Sequence, residues 1–192
     1  MRRIATLAVA VGVMLAATLP AAGAVEIVDG PAEPTGGTGL AWFEGRQIDL
    51  RDGWGAATAC MVWRERGVVE CFRSAAAMAL REAELSAGST AAGGSDSVST
   101  ASYSCSSPLR LYEHGSYGGR QLSFWDRGFW QNLGDWGFND QLSSFKIGSC
   151  YAYLAEHSWG GGAWYPGDTS PWVWSPTMWS GWNDRVSSIY NA

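Results

Sequence analysis

The chain has 192 residues, 46% of them hydrophobic and only 16% charged, with 25 glycines and 12 tryptophans. That apolar content excludes a fully disordered chain, and the length holds one ordinary domain plus a smaller piece. A formal charge of −5 without a basic cluster excludes the electrostatic footprint of a nucleic-acid binder and adhesion to anionic membrane by charge.

At the start, Met1-Arg2-Arg3 is a positive n-region, Ile4 to Leu19 is almost unbroken apolar sequence, and Ala22-Gly23-Ala24 fits an A-x-A cleavage site. The apolar stretch is short for a bilayer span, which needs about 20 residues. Residues 1–24 are therefore expected to be a cleaved secretory signal, and the protein to be soluble and extracellular. Cleavage removes Arg2 and Arg3, leaving 11 basic and 18 acidic residues, with Lys146 the only lysine.

Residues 25–40 are rich in Gly, Pro and Thr, as in a flexible lead-in. Residues 41–85 form a compact segment. Within it, Ala59–Trp63 and Val68–Phe72 have strand character, and Arg64-Glu65-Arg66-Gly67 between them suits a four-residue hairpin turn. Ser74 is placed to cap a helix running through about Leu85, in Ala-rich sequence of high helix propensity. Residues 86–103 are small and polar and have the composition of a linker. Four cysteines, Cys60, Cys71, Cys105 and Cys150, in an exported chain point to two disulfides, and the absence of a C-x-x-C pair argues against zinc. The hairpin brings Cys60 beside Cys71, so that bridge is the simplest pairing.

Residues 104–192 carry nine of the twelve tryptophans and repeat themselves. Tyr112-Glu-His-Gly-Ser-Tyr117-Gly-Gly119 has an echo in Leu154-Ala-Glu-His-Ser-Trp159-Gly-Gly161, 42 residues on. Asn139-Asp140-Gln141-Leu142-Ser143-Ser144 recurs as Asn183-Asp184-Arg185-Val186-Ser187-Ser188, offset by 44. Leu109 and Leu111, Leu122 and Phe124, and Phe145 and Ile147 alternate with polar residues, and Ile189 follows the second copy. Short alternating strands broken by glycine-rich turns predict an all-β sandwich built from two Greek-key motifs, preceded by a small β-hairpin plus helix segment.

Tyr112-x4-Tyr117-x-Gly119 resembles the aromatic hairpin signature of βγ-crystallins, and Leu154-x4-Trp159-x-Gly161 resembles it with Leu at the first aromatic position. Each motif ends in (Asn/Asp)-(Asn/Asp)-x-x-(Ser/Thr)-Ser, the pattern of the calcium-binding element of microbial βγ-crystallins. The resemblance implies a Greek-key sandwich at 104–192 that binds Ca²⁺ through hard oxygen ligands. The implied donors are side-chain oxygens of Asp140, Ser143, Asp184 and Ser187 and backbone carbonyls of Gln141 and Arg185, with Asn139 and Asn183 fixing the loops. Each motif is expected to serve both ions. One carboxylate per motif implies modest affinity, about 10⁻⁴–10⁻³ M as in extracellular modules, and Arg185 beside one ion implies that this site is the weaker. The same residues also suit a turn followed by a strand cap without any ion. Cys105 and Cys150 each precede a motif, which implies that they pair near the internal two-fold.

The layout of signal, Cys-bearing segment and Trp- and Gly-rich domain also resembles the secreted metalloproteinase-inhibitor family of actinobacteria. That resemblance implies a non-enzymatic inhibitor whose partner is an extracellular protease, a metalloprotease first. A calcium-stabilised structural or cell-envelope module, and a carbohydrate-binding or antimicrobial protein using the Trp-rich loops, are the alternatives.

No H-E-x-x-H, G-x-S-x-G or phosphate-binding glycine pattern is present. The two histidines, His114 and His157, each follow a Glu in the repeated hairpin, which shared ancestry of the motifs explains better than catalysis. Pro171-Trp172-Val173-Trp174-Ser175-Pro176 is the best candidate for a partner-binding loop, its prolines stiffening a segment that offers Trp172 and Trp174; the bland alternative is that both indoles pack.

Overall fold

A computed structural model describes residues 39–91 and 104–192. The predicted signal, the lead-in up to residue 38 and linker residues 92–103 lie outside the described residues. Among the described residues no helix is long and apolar enough to cross a membrane.

The first described elements are a short hairpin, β1 (Leu40–Phe43) and β2 (Arg46–Asp49), which the sequence pattern did not distinguish. The hairpin expected at 59–72 forms as β3 (Ala59–Trp63) and β4 (Val68–Phe72), with Cys60 opposite Cys71 in register and joined to it by a disulfide. Helix α1 (Ala75–Ala91) starts one residue after Ser74, whose Oγ accepts from the Ala77 N–H at 3.2 Å. It runs six residues past Leu85 into the stretch expected to be linker, because that Ala- and Ser-rich run holds no proline to stop it. Met78 and Glu82 bury the inner face of the helix. The Glu82 carboxylate accepts from Arg110 Nη2 at 2.6 Å and Trp125 Nε1 at 3.4 Å, and the Trp63 and Trp125 rings stack with centroids 4.0 Å apart.

Beyond residue 104 come β5 (Ser104–His114), β6 (Gly118–Asp126), β7 (Trp130–Asn132), β8 (Ser144–Lys146), β9 (Ala152–Ala155), β10 (Trp174–Ser175) and β11 (Ser188–Asn191). One sheet has the order β10-β8-β5-β6-β3-β4-β1-β2, the other β7-β11-β9. The chain is an all-β, two-motif Greek-key sandwich preceded by the hairpin and helix segment. The third strand of each motif crosses to the sheet of the other: β7 of the first motif pairs with β11, and β10 of the second with β8. Leu109, Leu111, Leu122 and Phe124 lie in strands and are buried, as their alternation predicts, with Leu109 opposite Phe124 and Leu111 opposite Leu122 across β5 and β6. These side chains, with Leu133, Trp136, Phe138, Leu142, Phe145, Ile147, Leu154, Val186 and Ile189, form the core between the sheets. Cys105 and Cys150 are joined by the second disulfide.

Residues 39–91 are continuous with the first sheet. Strand β3 pairs in parallel with β6, Cys60 lying opposite Leu122 and Val62 opposite Phe124. In the second motif, the counterpart of β6 is reduced to a single bridge between Ala155 and Trp164.

This shared sheet predicts one cooperative unfolding event. Met61→Ala removes a side chain with no exposed surface and is expected to cost about 2–5 kcal/mol. In urea, far-ultraviolet circular dichroism and tryptophan fluorescence should report one coincident, shifted transition; two separated transitions would contradict a common core.

Candidate metal centre

The two hairpins are built alike, and their geometry corrects the sequence register. Ser116 and Trp159 have φ of 54° and 58°, Tyr117 and Gly160 63° and 77°, and Gly119 and Gly162 both 73°. The counterpart of Tyr112 is therefore Ala155, that of Tyr117 is Gly160 and that of Gly119 is Gly162, an offset of 43 rather than 42. Aligning Trp159 with Tyr117 matched ring to ring, but the Trp159 ring is exposed. The space over Gly160 is taken by Trp130, whose indole lies 2.3 Å from where a β-carbon would stand. Only the first hairpin keeps its aromatic pair, the Tyr112 and Tyr117 rings meeting edge to face at 5.5 Å. The imidazoles of His114 and His157 lie against Gly119 and Gly162, close enough that a β-carbon there would fall 3.0 Å and 2.8 Å from them. Both histidines pack on the backbone of their turn.

A serine fixes each hairpin to its loop. Ser144 Oγ donates to His114 O at 2.6 Å and accepts from the Tyr117 N–H at 3.0 Å. Ser188 Oγ repeats this with His157 O and the Gly160 N–H at the same distances. The loops then meet across the pseudo-two-fold: Asp140 N–H donates to Val186 O, and Asp184 N–H to Leu142 O, each at 3.1 Å.

Both aspartates sit in the left-handed region, at φ of 52° and 54°, which Asp tolerates better than most residues. Their side chains are held by their neighbours, Asn139 Nδ2 donating to Asp140 Oδ2 at 2.7 Å and Asn183 Nδ2 to Asp184 Oδ2 at 2.6 Å. The remaining carboxylate oxygens are paired crosswise. Asp140 Oδ1 is 3.1 Å from Ser187 Oγ, and Asp184 Oδ1 is 3.3 Å from Ser143 Oγ. Four of the residues named from sequence, Asp140, Ser143, Asp184 and Ser187, thus converge as two oxygen pairs, each drawn from both motifs, and two more, Asn139 and Asn183, hold the carboxylates in place. Among the described residues no group of three His, Cys, Asp or Glu side chains is placed to hold a metal; the oxygens here include hydroxyls, which such a grouping leaves out.

The side chains of Gln141 and Arg185 join ion-pair networks. Arg185 Nε and Nη2 donate to Glu156 Oε1 at 2.9 and 2.7 Å. In the first motif Arg120, which sequence reasoning did not single out, donates to Glu113 through Nε at 3.1 Å and Nη2 at 3.0 Å, and also to Gln141 Oε1. An arginine thus stands beside both loops, each bound to a glutamate of its own hairpin, so charge alone does not make the Arg185 side the weaker one.

The loop from Pro171 to Pro176 is pinned at both flanks. The Trp172 N–H donates to Gly148 O at 2.9 Å and the Ser116 N–H to Pro176 O at 2.7 Å. Trp172 and Trp174 are 63% and 60% exposed, so the packed alternative does not hold. Lys146 Nζ lies 4.6 Å from the Trp174 ring centre and 4.3 Å from that of Tyr117. A second aromatic group was not visible in the sequence as a group: Trp130, Tyr190, Tyr153 and Trp164 contact one another along the short sheet, with centroids 5.3–6.0 Å apart. The cross-strand register behind it, Tyr190 opposite both Trp130 and Tyr153, is not a local signal.

No protein-family model matches the chain, and no curated protein does. Solved βγ-crystallin domains are similar in structure. One from Ciona intestinalis is 24% identical, with a TM-score of 0.38, over 44% of this chain and 99% of that one. One from an archaeon is 24% identical, with a TM-score of 0.38, over 45% and 98%. One from Flavobacterium johnsoniae is 27% identical, with a TM-score of 0.35, over 44% and 92%.

Hydrogen bonds from the Arg120 and Arg185 guanidiniums hold the Glu113 and Glu156 carboxyls below their ordinary value of 4.5. A carboxyl with a lowered folded-state pKa adds stability that is complete above its unfolded value and is lost as pH falls through the folded one. The melting temperature should therefore hold above about pH 4.5 and decline below it. The double substitution Glu113→Gln and Glu156→Gln should flatten part of that decline; an unchanged acid limb would remove these pairs as its cause.

Proposed function

We propose that the loops 139–144 and 183–188 bind two calcium ions, and that the protein is an exported, non-enzymatic binding module with calcium as structural ligand. The crosswise pairing of Asp140 with Ser187 and of Asp184 with Ser143 carries this reading. Two oxygens about 2.4 Å from one Ca²⁺, about 80° apart, lie about 3.1 Å from each other, which is close to the 3.1 and 3.3 Å of these pairs. The proton count also favours a cation. The Ser143 hydroxyl has one proton, and Glu113 O accepts it at 2.8 Å. Asp184 Oδ1, at 3.3 Å, competes for that same proton; with the proton directed to the nearer Glu113 O, lone pairs of Ser143 Oγ face a carboxylate, a repulsion that a positive ion relieves.

The backbone carbonyls of Gln141 and Arg185 complete the donor set, and Asn139 and Asn183 orient the carboxylates. When bound, calcium supplies positive charge that ties the two motifs together. With affinities of about 10⁻⁴ M, 10 mM calcium adds about 2.7 kcal/mol per site to stability. Calcium should raise the melting temperature of the native chain, and Asp140→Ala combined with Asp184→Ala should abolish that rise. A rise that persists in the double variant would overturn the assignment.

The partner reading is an extracellular peptidase, a metalloprotease first. The stiff loop that exposes Trp172 favours it, since a preorganised segment loses little freedom on entering a cleft, and exposed indoles are frequent anchors of interfaces. Titration against a thermolysin-like and a subtilisin-like protease, with calcium varied on the inhibitor side only, should give stoichiometric inhibition that Trp172→Ala weakens at least about tenfold. Absence of inhibition while the chain stays intact would discard the peptidase and leave the calcium module standing.

A further inference from the structure

The internal two-fold is broken at one place next to the calcium loops, and the extension formed by residues 39–91 is what breaks it. In the first motif, Trp54 Nε1 donates to Trp136 O at 2.8 Å. The next residue, Gly137, is so close to the extension that a β-carbon on it would fall 2.1 Å from Leu50 O. The Trp54 ring then meets Phe138 at 6.0 Å. These three residues lead directly into Asn139 and Asp140.

Arg120 continues the contact. Its guanidinium lies 4.9 Å from the Trp54 ring centre and 5.7 Å from that of Phe138. The same group bonds to Gln141 Oε1, and to Gly137 O at 3.4 Å, while paired with Glu113. Glu113 O in turn accepts the Ser143 hydroxyl. The run is continuous from the extension to the loop.

The second motif shows what the arrangement is without that support. Gly181, 44 residues after Gly137, has nothing within 4 Å of the place a β-carbon would occupy. Trp182, the counterpart of Phe138, is covered by Arg185 from the loop itself, 5.0 Å from its ring centre. Arg185 also bonds to Gly181 O at 3.3 Å. The first loop is held by the extension as well as by its own motif; the second has only its own motif, through Glu156 on Arg185 and the Tyr165 ring on Trp182 at 5.6 Å.

We propose that Trp54 and Arg120 are positioning residues that fix Asp140 and Gln141 in their ligating geometry, and that the Asp140–Ser187 site is therefore the tighter of the two. A loop already held in its bound shape gives up less conformational freedom when the ion arrives. The proposal rests on the calcium reading above and assigns the extension a part in it.

Calorimetric titration of the exported chain, residues 25–192, with calcium alone tests it. The native chain should show two steps, the tighter removed by Asp140→Ala and the weaker by Asp184→Ala. Trp54→Ala and Arg120→Gln should each weaken the tighter step about tenfold and leave the other within about twofold, with Trp54→Phe, which keeps a ring against Phe138 and Arg120 but loses the bond to Trp136 O, falling between native and Trp54→Ala. If Trp54→Ala does not fold, Arg120→Gln decides, because that side chain is only partly buried. Equal weakening of both steps, or of neither, in a native-like chain would overturn the positioning role. No calcium uptake by the native chain would overturn the calcium reading and this one with it.

Discussion

Two backbone hydrogen bonds, Asp140 N–H to Val186 O and Asp184 N–H to Leu142 O, hold the loops of the two motifs against one another. They are possible because each motif gives its third strand to the other motif's sheet, which brings the two loops to the same axis. Everything polar at the centre follows from that closure. The aspartates take left-handed backbone to make the crossing, their side chains then face the serines of the opposite loop, and Ser144 and Ser188 lock the hairpins behind them. The cost of left-handed backbone at Asp140 and Asp184 is borne where two sets of bonds over-determine it.

Local structure was legible in the sequence wherever it depended on neighbours in the chain. The hairpin at 59–72 and its disulfide follow from two apolar runs around a polar turn, and the inward face shared by Leu109, Leu111, Leu122 and Phe124 follows from alternation. The register of the second hairpin did not, because Trp159 imitates the chemistry of Tyr117 while the backbone gives that position to Gly160. A ring from a distant strand, Trp130, fills the space instead. Parallel pairing of β3 with β6 was invisible for the same reason: nothing within either strand encodes its partner.

The candidate centre divides along the same line. Asn-Asp-x-x-Ser-Ser names its residues openly, since the pattern is contiguous. That Asp140 meets Ser187 rather than Ser143 is a property of the closed sandwich, as is the approach of Arg120 to Gln141. The aromatic residues behave alike. Composition places nine tryptophans in residues 104–192, but only the folded chain separates Trp136, fully enclosed, from Trp172 and Trp174 on a pinned loop.

The parallel pairing of β3 with β6 also changes which edge of the large sheet stays open. A nine-residue strand such as β6, left unpaired, would present a row of free N–H and C=O groups to any other chain. Four added strands move that boundary outward to β2, whose sequence Arg46-Gln47-Ile48-Asp49 places a charge at either end of a four-residue edge. Short, charged edges resist strand addition. The extension therefore exchanges a long, adhesive border for a brief and guarded one.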